Sequence, residues 1–340
     1  MLGLEYSILN YYTNSDRNTG AKFIINYINK YNAYKELCMT NIQHYLPKLS
    51  TIFESKPLLF NKTNDDEFIP SSVSMLLRND KLLGNLRMVN YRLSENGQFL
   101  FRNEHMFKTK NVKIVIDPLT LCVLSEKVVV DELPPNEDLI SPRIKGLEDI
   151  RLFERGGDVW YSASTFDHSY TPKIRIIHGK YDDVITSGEC IKPPTETACE
   201  KNWIFVDDKV IYSWYPMKIG SIVDGKLNIH TVYDTPYSFE SMRGSSCCLK
   251  RGDELWCVTH STTETTPRKY YHYLVVLDKN LKPFRMSIPF CFKSPSIEYC
   301  IGFEIYNSDF IFTYSIMDSN PEIIKIPIKW FDTTLMIDNI

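Results

Sequence analysis

Cys247-Cys248-Leu249-Lys250-Arg251-Gly252-Asp253-Glu254-Leu255-Trp256-Cys257-Val258-Thr259 decides the fold, because it is one copy of a phrase that the chain repeats five times. An apolar run meets a tight turn built on Gly, Asp or Asn, and a second, more aromatic run comes after it and ends in small or polar residues. Strands flanking such turns read as β-hairpins. The first copy runs from Val73 to Leu77, turns at Asn79-Asp80 and resumes from Leu82 to Asn90. The second turns at Gly156-Gly157-Asp158 between Ile150–Phe153 and Val159–Ala163, and the third at Asp207-Asp208 between Trp203–Phe205 and Val210–Trp214. The fifth turns at Asn307-Ser308-Asp309 before Phe310–Tyr314. The turn aspartates (80, 158, 208, 253 and 309) lie about 45 to 80 residues apart, and a period of that order with several strands per unit points to a propeller rather than a solenoid. The expectation is an all-β, five-bladed β-propeller over residues 68–340, with the five turns on one common face.

Composition agrees. The chain has 340 residues, 43% of them hydrophobic, with 21 Tyr, 18 Phe and 5 Trp, enough for a large core and better suited to strands than to helices. A net charge of −3 leaves no basic footprint for nucleic acid and no polybasic cluster for a membrane surface. No apolar stretch approaches the roughly 20 residues of a membrane span, and Met1-Leu2-Gly3-Leu4-Glu5 lacks the basic region and apolar run of an export signal. The nine cysteines form no C-x-x-C pair, so a reducing compartment is the simplest reading and the cytoplasm the expected location. Without a P-loop or zinc-ligand spacing, no metal, nucleotide or other cofactor is expected.

Residues 1–67 read as a helical extension packed on the propeller. From Ala21 to about Glu54 the apolar residues Phe23, Ile24, Tyr27, Ile28, Tyr31, Tyr34 and Leu37 recur at helical intervals, and Thr40-Asn41 and Pro47 interrupt the pattern beyond Leu37. Two or three helices are predicted, with Phe23, Tyr27 and Tyr31 facing inward. A partner-binding arm is the other reading of the same stripe.

Propellers bind ligands at one mouth of the central channel, so polar groups at equivalent points of successive repeats should converge there. Five clusters qualify: Arg87, Asn90, Tyr91 and Arg92; Glu148, Asp149 and Arg151; Glu200, Lys201, Asn202 and Trp203; Arg243 to Ser246; and Glu298. Taken singly, Glu148-Asp149 with Arg151 reads equally as an inter-blade salt bridge with a turn cap, and Trp203 and Trp214 read as core aromatics. Their repetition in register favours a shared site.

At these residues the chain resembles the β-mannoside phosphorylases and their relatives, five-bladed propeller enzymes acting on mannosides. Lys145 to Phe153 is similar to their G-x-E-D-P-R segment, Phe68 to Val73 to their N-P-S/A-V opening, and Arg87-Met88-Val89-Asn90-Tyr91-Arg92 to an R-x-V-N-Y variant found in glycosyltransferase-associated propellers. Glu200 to Trp203, Arg243 to Ser246, Trp256 to His260 and Tyr271 to Asp278 resemble later blades in order, so the resemblance covers roughly residues 68 to 325.

The resemblance implies an inverting reaction in which phosphate or water attacks a mannoside while a carboxylic acid protonates the leaving oxygen. It assigns Asp149 to gripping sugar hydroxyls, and Arg151, Lys201 and His260 to a phosphate end. Arg87, Asn90, Tyr91, Glu148, Trp203, Arg243 and Glu298 complete the expected substrate site. The family's acid, an Asp within a G-x-D-R segment, has no counterpart in Asn90-Tyr91-Arg92-Leu93-Ser94-Glu95, which leaves Glu95 and Glu104 as candidate proton donors. Two function classes remain: an enzyme on glycans (inverting mannoside phosphorylase, hydrolase or mannosyltransferase) binding a carbohydrate such as a mannoside with inorganic phosphate, or an inert propeller whose funnel binds a glycan or a protein.

Overall fold

The computed structural model describes residues 2–13, 17–31, 34–60, 67–102, 105–137, 139, 144–338 and 340. Its strands form five antiparallel blades around a central channel. Blade 1 comprises Ile69–Arg78, Lys81–Val89, Phe107–Ile116 and Val123–Val128, and blade 2 Glu148–Arg155, Asp158–Thr165, Arg175–Lys180 and Glu189–Ile191. Blade 3 comprises Ile204–Val206, Lys209–Trp214, Met217–Val223 and Lys226–Tyr233. In blade 4, Arg243–Gly244 and Leu249–Arg251 both pair with Glu254–Thr262, followed by Tyr270–Leu277, Pro283–Ser287 and, on the outer edge, Met336–Asp338. Blade 5 comprises Glu298–Tyr306, Asp309–Ile316 and Ser319–Pro327.

The ring closes by an exchange of ends. Ser55–Pro57, from the N-terminal side of the propeller, is the outermost strand of blade 5, with Lys56 opposite Ile323. Ser55 Oγ donates to Glu322 Oε2 at 2.8 Å and lies 2.7 Å from the Tyr314 hydroxyl. Covering the outer edge of the last blade with an early strand ties the two ends of the ring together and hides a free edge.

Each of the five expected hairpins joins the first and second strands of its blade, in pairs Arg78↔Lys81, Arg155↔Asp158, Val206↔Lys209, Arg251↔Glu254 and Tyr306↔Asp309. Two-residue turns of this kind require left-handed backbone, and the residues there supply it: Asn79 and Asp80 at φ 51° and 55°, Gly156 and Gly157 at 61° and 81°. Asn, Asp and Gly tolerate that region with the least steric cost, which is why the five turns stand out in the sequence.

Apolar layers fill the gaps between neighbouring blades. Val73, Leu86 and Ile114 meet Ile311 and Ile323 between blades 1 and 5, and Leu76 meets Ile150, Leu152 and Tyr161 between blades 1 and 2. The N-terminal segment is helical, as α1 (Leu2–Thr13), α2 (Arg17–Tyr31) and α3 (Lys35–Ile42). Helix α2 buries Ala21, Ile24, Ile25 and Ile28 in the core shared with Trp214, Phe239 and Met286. The inward face therefore differs from the expected one: Phe23 is 36% and Tyr31 56% exposed, and Tyr27 is half-buried. Positions 21, 24, 25 and 28 make one i, i+3, i+4, i+7 stripe, and the aromatic series 23, 27, 31 lies on its flank. Helix α4 (Ile328–Leu335) packs Ile328, Phe331 and Leu335 onto the same core. No helix among the described residues is long and apolar enough to cross a membrane.

Candidate functional site

Bulges in the inner strands build the site. The pairing of the first strand with the second slips between Pro70 and Val73, between Glu148 and Arg151, and between Cys300 and Gly302, equivalent places in blades 1, 2 and 5. A bulge re-aims the side chains beside it. In blade 2 it holds Asp149 at φ 52°, and in blade 3 Asn202, just before the first strand, sits at φ 65°. Both residue types accept the left-handed region that most side chains avoid.

The side chains that converge form an ion-pair network. From the second strand of blade 1, Arg87 reaches across to blade 2, its Nη1 2.8 Å from Asp149 Oδ1 and its Nη2 2.8 Å from Glu148 Oε1. Lys201 of blade 3 donates from Nζ to Glu148 Oε2 at 2.8 Å. The side chains of Arg87, Glu148 and Asp149 are 10%, 9% and 13% exposed, so these charges face little water. Burial alone would raise the Asp149 carboxyl, but the nearby Arg87, Lys201 and Arg151 outweigh it and hold the group below the usual carboxylate range. Burial likewise opposes the charge of Lys201, and Glu148 and Asp149 overcome it and raise the ammonium.

Arg151 lies behind this pair, 2% exposed and fully engaged. Its Nε donates to Ser245 O at 2.7 Å, Nη1 to Asp149 O at 3.2 Å, and Nη2 to Asn202 Oδ1 at 3.1 Å and the Tyr299 hydroxyl at 2.7 Å. It locks blades 2, 3, 4 and 5 together at the axis. His260 faces the same region, its Nδ1 2.7 Å from Ser245 Oγ and its ring stacked on Tyr270. Burial, reinforced by His272, Arg243 and Arg151, pushes its pKa well below the ordinary value, so the imidazole is neutral at pH 7.

These groups surround a cavity of about 370 Å³ lined by Arg87, Tyr91, Glu148, Asp149, Lys201, Asn202, Arg243 and His260, with aromatic walls from Phe99, Phe107, Tyr270 and Tyr299. Ile144, Arg268 and Asp318 complete the lining. Arg87 and Lys201 are neutralised by carboxylates. Arg243 and Arg268 are exposed and form no ion pair with any described residue, so they are the free positive charges of the mouth. Asp318 belongs to the hairpin between the second and third strands of blade 5 and accepts a hydrogen bond from Tyr91 at 3.1 Å. Burial, with Asp149 and Glu148 nearby, raises its pKa against the pull of Arg87.

Of the residues singled out in the sequence, Arg87, Tyr91, Glu148, Asp149, Lys201, Arg243 and His260 thus meet at one cavity, with Arg151 directly behind. Others lie elsewhere. Trp203 is buried in the layer between blades 2 and 3 and donates from Nε1 to Glu200 Oε2 at 2.9 Å. Glu298 is fully buried and accepts the backbone N–H groups of Phe292, Lys293 and Ser294, and burial raises its pKa to about 7. Asn90 ties the chain behind the site, bonding Met106 O and the Lys108 N–H. Glu95 sits exposed on a turn and does not line the cavity, and Glu104 lies outside the described residues. Asp318, Arg268 and Tyr299 escaped the sequence reading. An Asp between the apolar runs Phe310–Tyr314 and Ile323–Ile326 signals a turn, but nothing in that signal says that the turn overhangs the channel. Among the described residues no cluster of three or more His, Cys, Asp or Glu could hold a metal ion.

No family model and no curated protein sequence matches this chain. Solved structures do. The β-1,2-mannobiose phosphorylase of Listeria innocua, in complex with β-1,2-mannobiose, superposes with a TM-score of 0.53 at 14% identity, covering 83% of this chain and 96% of that one. The two chains share the five-bladed β-propeller fold. A second structure, from work on glycoside hydrolases in the GH130 family of mannoside phosphorylases that target β-1,2-mannosidic linkages in Candida mannan, gives 0.52 at 9% identity, covering 81% and 97%. At such identities the likeness carries the five-bladed architecture and leaves the chemistry to the site.

Proposed function

We propose that the funnel binds a β-mannoside beside an inorganic anion and transfers the mannosyl group to phosphate or water with inversion. The observation that carries this reading is the convergence of charged groups from all five blades on one cavity at the propeller axis. Burying that many charges is costly unless they pair with one another or serve a ligand, and two arginines there have no ion-pair partner among the described residues. Asp149, kept ionised by Arg87, accepts hydrogen bonds from sugar hydroxyls. The aromatic walls pack against the apolar faces of a pyranose. Arg243, with Lys201 at the edge, attracts the anion by charge-assisted hydrogen bonds. Neutral His260 donates or accepts one more.

The test is incubation with β-1,2-mannobiose, with and without inorganic phosphate, following mannose 1-phosphate and free mannose. Phosphate-dependent release of the ester supports phosphorolysis, and release of mannose without phosphate supports hydrolysis. Asp149→Ala should abolish sugar binding, and Lys201→Ala should weaken phosphate binding. The exposed placement of Glu95, away from the cavity, favours a second reading in which the funnel binds a glycan without cleaving it. Sugar binding by calorimetry with no turnover under either condition selects that reading, and tight binding of a nucleotide sugar selects a transferase.

A further inference from the structure

We infer that Asp318 is the proton donor of this funnel, a catalytic carboxyl supplied by blade 5 in place of one from blade 1. The inference rests on the glycan reading above and names the group that the reading lacks.

Three observations converge on it. The first is the backbone. Ile316 pairs with Ser319, so Met317-Asp318 is a two-residue hairpin turn, and both residues lie in the left-handed region, at φ 54° and 50°. The other two-residue turns with both residues in that region use Asn-Asp, Gly-Gly or Asp-Gly. A methionine has no local hydrogen bond to offset that conformation, and such strain persists where the surroundings over-determine it, commonly at a site of function. The strained turn places Asp318 over the channel mouth.

The second observation is position. Asp318 lines the funnel cavity and also an adjoining one of about 590 Å³, and the two share Phe99, Arg268, Tyr270 and Asp318 as their common wall. A sugar held by Asp149 in the first cavity and a leaving sugar in the second would be joined by an oxygen at that wall. A proton donor must stand within hydrogen-bond reach of such an oxygen.

The third is the division of labour among carboxylates. Glu148 and Asp149 are bound to Arg87 and Lys201 and act only as acceptors. Asp318 has one protein partner among the described residues, the Tyr91 hydroxyl on Oδ2, which leaves Oδ1 for a ligand. The charged and titratable groups around it are Arg87 and Tyr91 from blade 1, Glu148 and Asp149 from blade 2, and Arg268 and Tyr270 from blade 4. Burial and the two neighbouring carboxylates favour its protonated form, whereas cations hold Asp149 ionised. Carboxyl groups whose surroundings push them in opposite directions divide the acid role from the anionic one.

The step balances simply. A phosphate or water oxygen forms the new bond to the anomeric carbon as the bond to the leaving oxygen breaks. That bonding pair stays on the leaving oxygen, which takes the proton of Asp318. Asp318 is left as a carboxylate and regains a proton from solvent, to which the new phosphate ester or sugar hydroxyl gives up its own.

The experiment compares wild type with Asp318→Asn on two substrates, β-1,2-mannobiose and 2,4-dinitrophenyl β-mannoside, in inorganic phosphate. The dinitrophenolate leaves without a proton. Asp318→Asn should lose about 100-fold or more in kcat on mannobiose and less than about 10-fold on the aryl mannoside. For wild type, the basic limb of the pH profile should appear with mannobiose and vanish with the aryl substrate, a readout that needs no variant to fold. Equal losses on both substrates, mannobiose activity of the variant within about threefold of wild type, or the same basic limb on both would overturn the assignment. Wild type that turns over neither substrate refutes the glycan-cleaving reading itself, and the inference with it.

Discussion

Replacing Arg87 by Met removes the cation shared by Glu148 and Asp149 while keeping an unbranched side chain in the gap. Each of its two ion pairs is 2.8 Å long, with all three side chains at most 13% exposed. Charge centres about 4 Å apart attract by about 4 kcal/mol per pair at an effective dielectric constant near 20, and the desolvation of Arg87 opposes that gain. Glu148 keeps Lys201, but Asp149 loses its only side-chain ion pair among the described residues and stays buried. The expected loss is about 3–5 kcal/mol, the usual cost of an uncompensated buried charge. With an unfolding entropy of about 2.1 cal/mol/K per residue over 340 residues, the melting temperature should fall by about 4–7 °C. The pH dependence carries a sign. In the wild type the folded pKa of Asp149 is depressed, so its stabilisation is present above the unfolded value and is lost as pH falls through the folded one. In the variant that folded pKa moves above the unfolded value, so the carboxyl destabilises at neutral pH and ceases to do so once protonated. Urea unfolding at pH 7 and pH 4 should therefore show a wide gap between the proteins that narrows in acid. A gap below about 1 kcal/mol at pH 7, or one unchanged at pH 4, refutes the account of a desolvated, mutually dependent cluster.

Glu304 is buried, accepts the Leu77 N–H at 3.0 Å, and has its pKa raised to about 8 by burial. Its raised folded value makes stability fall by up to about 1.4 kcal/mol per unit as pH rises between the unfolded and folded values, and Glu304→Gln should remove that decline in urea titrations from pH 5 to 8. His272 is fully buried against Phe290 and Phe292, makes no well-formed side-chain hydrogen bond with any described residue, and has its pKa lowered to about 3 by burial. The depressed value means stability is lost as pH falls below about 6.5, so His272→Leu should flatten that acid limb and match or exceed wild-type stability at pH 7. In the closing strand, Leu58 N–H donates to Pro321 O, so the Lys56 N–H two residues earlier faces the same neighbour. Lys56→Pro removes a ladder hydrogen bond and should cost about 1–3 kcal/mol and speed hydrogen exchange across Ser319–Pro327; unchanged exchange there would mean that this strand does not close the ring.

The five hairpins were legible because a turn is a local object. At those five turns the left-handed backbone is carried by Asn, Asp or Gly, and alternating or aromatic runs on either side suffice to mark the strands. Helix α2 was legible as a helix for the same reason, but its buried face was not: Phe23 and Tyr31 are as apolar as Ile24 and Ile28, and only the surface offered by Trp214 and Phe239 selects among them. Register in the repeat brought Arg87, Glu148, Asp149, Lys201, Arg243 and His260 to one cavity, because rotation about an axis maps equivalent positions onto a ring. It could not separate side chains facing the channel from those turned into the blades, so Trp203 and Glu298 carried the same signal as their neighbours. Asp318 and Arg268 belong to connections outside the repeated phrase, and their place at the mouth depends on how far those connections overhang the channel. The pairing of Ser55–Pro57 with Ser319–Pro327 is likewise a long-range contact with no local mark. Sequence alone determined the elements whose geometry is dictated within a few residues; tertiary structure decided every feature that depends on which distant surface a side chain meets.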